Sequence, residues 1–159
     1  MAKFSQLGSV SSGTMRNEDL IPAFLDMAEE LTKGARGYGE HRKKLAAIRR
    51  RANKGDVYFE SEEADYDLHE CLFDMLNEFA PPYCSFGSHE GDGANYGFWF
   101  DNDSFEEAVR DGEVLKVNDA WDGKPFWDMS DTPQYVAHVN DHGNLTLYNM
   151  KGEVLLEMV

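Results

Sequence analysis

QYVAHVNDHGNLTLYNMKGEVLLEMV, from Gln134 to Val159, decides how the chain is read. Apolar and polar residues alternate through it, with β-branched and aromatic side chains prominent, as a half-buried sheet requires. Asp-His-Gly-Asn and Lys-Gly break it into three runs, 134–139, 145–150 and 153–158. Glycine-bearing breaks this short join antiparallel neighbours, so the segment predicts a three-stranded meander.

Upstream of the meander, two more aromatic runs, YCSFGS (83–88) and NYGFWFD (95–101), flank HEGDGA and predict a hairpin with a long glycine loop. Tyr96, Phe98 and Phe100 fall on one sheet face and Trp99 on the other. SFEEAVRDG (104–112) predicts a short helix capped by Asp103 or Ser104 and stopped by Gly112. EVLKV (113–117) predicts a strand, and NDAWDGKPFWDMSDTP (118–133) an irregular connection.

The first half is helical in pattern. A helix over 19–32 presents Leu20, Phe24, Met27 and Leu31 on one face. Asn17 or Asp19 caps it, Pro22 requires the first turn, and KGARGYG ends it. EHRKKLAAIRRRANKG predicts a basic helix over 39–53 with a narrow stripe of Leu45, Ile48 and Ala52. A third helix covers 61–79, with Ser61 as cap, Leu68, Leu72, Met75, Leu76 and Phe79 on one face, and Pro81 and Pro82 beyond its end. The expected architecture is α+β: N-terminal helices followed by an antiparallel sheet ending in the meander. Residues 1–13, rich in Ser and Gly, read as a flexible arm, and 14–159 as one domain.

The chain has 159 residues and is 42% hydrophobic and 13% aromatic, ample for a core. Its net charge of −15 excludes ordinary binding of nucleic-acid phosphates and disfavours anionic membranes. A basic protein partner fits the sign. The N-terminus lacks the apolar run of a signal peptide, and no stretch approaches a transmembrane span, so a cytoplasmic protein with reduced Cys71 and Cys84 is expected. The charge is uneven: residues 1–54 hold 11 Lys/Arg against 6 Asp/Glu, whereas 55–159 hold 4 against 24.

That excess begins with YFESEEADYDLHECLFDMLNEF (58–79), which carries eight carboxylates and no Lys or Arg. On a regular helix Glu63, Asp67, Glu70, Asp74 and Glu78 form a face opposite the apolar one. The row spans roughly 22 Å, with successive charges rising about 4.5–6 Å, a pitch suited to a groove built for phosphates. Asp101, Asp103, Glu106 and Glu107 on the next predicted helix would extend it. The same acids also serve as a solvated face, or as partners for the basic helix. That helix, with HRKK and RRR, reads as pairing with the acids, as an exposed face, or as a nucleic-acid contact lacking aromatic interleaving.

Catalytic patterns are sparse. His89, Glu90, Asp92 and Asn95 share one loop, and His138, Asp141 and His142 another. Brought together, the His89 and His138/His142 loops offer ligands for Zn²⁺ or Mn²⁺, and a small metal-dependent enzyme is the alternative to a binder. Asp, Asn and Gly are equally what tight turns demand. There is no HExxH, GxSxG, Walker A loop or GxGxxG, so no cofactor is implied. Trp121 and Trp127 stand among turn residues and acids, an arrangement that fits either core packing or aromatic anchors for a partner.

GTMRNEDLIPAF (13–24), SFGSHEGDGANYGFWFD (85–101) and the C-terminal VNDHGNLTLYNMKGEVLLEMV resemble a group of small proteins of unassigned function from phages and other bacterial mobile elements. The three segments make about a third of the chain. The resemblance implies a host- or defence-directed role and transfers no functional residue. The first expectation is therefore a non-catalytic acidic protein-binding module. It would occupy a basic groove as anti-restriction and anti-CRISPR DNA mimics do, or neutralise a basic toxin as an immunity protein does.

Overall fold

The computed structural model describes residues 7–121 and 133–159. The fold is α+β and divides into two compact units: Gly8–Ala80 with Ser85–Trp99, and Met1–Leu7 with Pro81–Cys84 and Phe100–Val159. We call them the helical unit and the sheet unit.

In the helical unit, β1 (Gly8–Ser11) precedes α1 (Asn17–Thr32), α2 (Gly39–Ala52) and α3 (Asp56–Phe59). The acidic helix follows in three parts: α4 (Glu62–Tyr66), a π-helical segment (Asp67–Leu72) and α5 (Phe73–Glu78). β2 (Cys84–His89) and β3 (Asp92–Phe100) complete a sheet ordered β1-β3-β2. Residues 8–11 of the expected flexible arm are thus a strand, paired antiparallel with β3. Gly97 makes this possible: a Cβ there would lie 2.0 Å from the Gly8 carbonyl oxygen. Residues 1–6 of the arm lie outside the described residues. The hairpin β2–β3 turns at Glu90–Gly91, a much tighter connection than the long loop expected.

Helix α1 is central to this unit. It begins at Asn17, which places Pro22 in the second turn rather than the first. There the missing N–H denies the Glu18 carbonyl its intrahelical donor. Burial of Leu20, Ile21, Phe24, Leu25 and Ala28 holds the helix regardless. Phe24, fully buried, meets Phe73 of α5 at 5.5 Å, Phe86 of β2 at 5.0 Å and Tyr96 of β3 at 5.8 Å, all steeply tilted. Each such pair contributes about 0.5–1.5 kcal/mol beyond its area burial. Of the aromatic face expected of β3, Tyr96 and Phe98 are buried within this unit, whereas Phe100 packs against Phe105 in the core of the sheet unit.

The acidic helix starts as expected, with Ser61 Oγ accepting from the Ala64 N–H at 3.2 Å. It is not regular thereafter. Ala64, Leu68, Leu72 and Leu76 are all buried at steps of four. At 3.6 residues per turn three such steps would swing Leu76 about 120° off the core. The wider π segment between them takes up that drift.

In the sheet unit, α6 (Asn102–Arg110) leads into β4 (Val114–Val117), β5 (Tyr135–Val139), β6 (Leu145–Asn149) and β7 (Val154–Met158), ordered β4-β5-β6-β7. The last three form the antiparallel meander. β4 runs parallel to β5, so this sheet is mixed rather than wholly antiparallel. The cap of α6 is Asp101, not Asp103 or Ser104: its carboxylate accepts from both of their N–H groups at 3.1 Å. Phe105 and Ala108 pack with Ala137, Leu145, Leu147 and Leu156 on one sheet face, while Val136 and Tyr148 meet Trp121 on the other. A register shift in the β6–β7 pairing makes Leu155 an extra residue and turns Val154 toward the Tyr148 face. Among the described residues no helix is long and apolar enough to cross a membrane.

Candidate interaction surface on the acidic helix

The basic helix lies alongside the acidic one. His41, near the start of α2, meets Glu78 Oε2 through Nε2 at 2.8 Å, and Arg51, near its end, meets Glu63 and Asp67. The two helices therefore run antiparallel. The other flank of α2 serves α1: Arg49 reaches Asp26 at 2.6 Å and Glu29 at 2.9 Å, which raise its pKa, the Glu29 hydrogen bond foremost. Arg42 caps the C-terminal end of α1, donating to the carbonyls of Thr32 and Ala35. Of the readings the sequence allows for this helix, internal pairing is the one these contacts realise. Lys44 and Arg50 stay exposed.

Asp67 leaves the expected row altogether. It is 2% exposed and accepts three hydrogen bonds, from Arg51 Nε and Nη2 and from the Tyr58 hydroxyl, each 2.8 Å. A carboxylate survives out of water only with such partners, and the planar guanidinium supplies two donors at once. Burial, then the bond to Asp67, holds the Tyr58 hydroxyl well above the ordinary phenol range. Asp67 is thus a structural anchor between α2, α3 and the π segment, not a surface charge.

The remaining acids separate by flank. Glu63 is exposed but stands 3.5 Å from Arg51, and Glu78 is held by His41. Glu60, Glu62, Glu70 and Asp74 are exposed, and no hydrogen bond or ion pair engages their side chains among the described residues. The regular five-carboxylate row is therefore broken, and an unpaired outer flank remains. On α6, Asp103 and Glu107 are exposed, while Glu106 pairs with Lys116 at 2.7 Å.

Trp121 is 8% exposed and packs against Tyr148 and Val136, so its ring belongs to a core rather than standing at the surface. Trp127 lies outside the described residues. Exposed apolar residues occur instead at Val57 and Tyr66, which the sequence reading passed over. No signal in the sequence marked Val57, which directly precedes the apolar Tyr58 and Phe59.

The histidine loops act as turns. His89 Nδ1 accepts from the Gly91 N–H at 3.0 Å while its ring lies edge-on to Trp99 at 4.7 Å. Asp92 accepts from Ala94, and the His142 N–H donates to Asn140. His89 belongs to the helical unit and His138 and His142 to the sheet unit. Among the described residues no group of three or more His, Cys, Asp or Glu is placed to hold a metal ion. Burial pushes the Cys84 thiol up to about 12, and burial and then Asp67 raise that of Cys71, so neither has the lowered pKa of a nucleophile.

Compared with protein-family models, curated proteins and solved structures, the chain finds no match.

Proposed function

We propose that the protein is a non-catalytic, acidic protein-binding module whose partner presents a basic surface. One observation supports this above the others. After α2 has engaged Glu63, Asp67 and Glu78, the outer flank of the acidic helix still carries Glu62, Glu70 and Asp74, with Glu60 just before it, unpaired among the described residues. No Lys or Arg occurs between Gly55 and Val109 to answer them. Wetting a helix face does not require so complete an exclusion of one sign. The fitting partners are a basic groove on a nucleic-acid-handling or defence protein of a host cytoplasm, or a basic toxin. With Asp67 buried, evenly pitched imitation of phosphates is not what recommends the surface; its net sign and exposure are.

A pull-down from bacterial lysate at low and high salt, with wild-type protein and a Glu62→Lys/Glu70→Lys/Asp74→Lys variant, tests the reading. A basic protein should be retained at low salt, released at high salt and missed by the variant, whose circular dichroism should match wild type. Equal retention by the variant would reject it.

A further inference from the structure

Among the described residues, four large hydrophobic side chains stand exposed, and three of them, Met15 (65%), Val57 (83%) and Tyr66 (61%), belong to one corner of the helical unit. Asn17 ties that corner together. Its Nδ2 donates to the Phe59 carbonyl at 3.0 Å and to Asp65 Oδ1 at 2.7 Å. Met15 lies two residues before Asn17, Val57 two before Phe59, and Tyr66 directly after Asp65.

The helix geometry explains why Tyr66 is outside. Ala64 is buried, and Tyr66 lies about 200° further round, pointing away from the core. Its neighbours face sideways, Asp65 to Asn17 of α1 and Glu63 to Arg51 of α2. Exposed acids lie close to two of them in sequence: Asp56 directly before Val57, and Glu60 and Glu62 between Val57 and Tyr66. Arg16, directly before α1, is engaged with Glu18.

Exposed apolar side chains scattered singly need no explanation. Three in one hydrogen-bonded corner with an acidic rim have the composition of a binding hot spot, in which tyrosine is prominent. Resting on the reading of the acidic flank as a site for a basic protein, we propose that this corner is its docking point. The occupant is a basic amphipathic segment. Its apolar side chains cover Met15, Val57 and Tyr66 while its Lys and Arg meet Asp56, Glu60 and Glu62.

Two synthetic helical peptides of equal length and charge make the test: one with Leu and Lys at amphipathic spacing, one with every Leu replaced by Ser. Calorimetry should give the Leu peptide roughly tenfold tighter binding. Amide shifts in NMR spectra should centre on Met15, Val57 and Tyr66. A Val57→Ser/Tyr66→Ser variant should lose the tenfold advantage while binding the Ser peptide as wild type does. Equal affinity for the two peptides, or an advantage that survives in the variant, overturns the docking point. If binding of both is then abolished by Glu70→Lys/Asp74→Lys, the acidic-surface reading stands without it. Failure of wild type to bind either peptide overturns both.

Discussion

Replacing Asp67 by alanine tests whether the arginine-rich helix is a structural partner of the acidic one. The carboxylate is 2% exposed and accepts from Arg51 twice and Tyr58 once. Its removal leaves a buried hydroxyl without an acceptor and a guanidinium without its main counter-ion. Removing one member of a fully buried pair costs about 3–5 kcal/mol. The Arg51 side chain is 27% exposed and Glu63 stands 3.5 Å away to take over in part, which places this loss lower, at about 2–3 kcal/mol. With a urea slope of about 2 kcal/mol per molar, the unfolding midpoint should fall by about 1–1.5 M. Tyr58→Phe alone removes one bond to a charged acceptor, about 1.5 kcal/mol at the low end for such bonds. That bond is already absent in Asp67→Ala, so the double variant should cost about 1 kcal/mol less than the sum. Arg51→Met/Asp67→Leu, which removes both charges, should return to within about 1.5 kcal/mol of wild type. A loss below about 0.5 kcal/mol for Asp67→Ala, within the range of ordinary surface changes, or strict additivity with Tyr58→Phe, would refute the assignment.

Gly97→Ala should detach β1, because its new Cβ would meet only backbone: Gly8 O at 2.0 Å, Gly8 C at 2.7 Å and Ser9 Cα at 2.9 Å. Amides of residues 9–11 should then exchange like open chain while those of α1 stay protected, with about 1–3 kcal/mol lost; retained protection in β1 contradicts this account. The Asp101 carboxyl is held below the ordinary carboxylate range by the Ser104 hydroxyl, then by the Ser104 and Asp103 N–H groups. The folded state therefore favours its charged form. The stability it adds is fully present above the ordinary value near pH 4 and is lost as pH falls through its lower folded value. Asp101→Asn should flatten the acid limb of a melting-temperature profile in that window, and superimposable limbs would count against the cap.

The meander could be read from sequence because its demands are local. Gly143 (φ 82°) and Gly152 (φ 81°) sit where the turns need left-handed backbone, and the alternation between them has period two. The parallel pairing of β4 with β5 could not, since the sequence between the two strands carries no periodicity to set their relative direction. The π segment had a signal in Ala64, Leu68, Leu72 and Leu76, four residues apart throughout, which a regular helix cannot keep on one face. Asp67 had none: a 100° wheel sets it opposite the core, and its burial depends on Arg51 and Tyr58 arriving from two other helices. β1 was hidden because GSVS has the composition of a loose arm, and its place is decided by an absent side chain nearly ninety residues away.

The pairing pattern also ranks the acids by what a basic partner could claim. Asp67 is out of reach, since exchanging Arg51 for an incoming cation would open the buried cluster. Glu63 is held at 3.5 Å by a guanidinium whose main bonds go to Asp67, so a partner can recruit it at little cost. Glu78 is 57% exposed, and its hold on His41 is an ion pair only while the imidazole is protonated. Glu60, Glu62, Glu70 and Asp74 need no exchange at all among the described residues. Binding should therefore depend first on Glu60, Glu62, Glu70 and Asp74, next on Glu63 and Glu78, and on Asp67 only through loss of the fold. Reversal of Glu70 and Asp74 would then lower affinity without moving the urea midpoint, and Asp67→Ala would move the midpoint far more than the affinity of the molecules that remain folded.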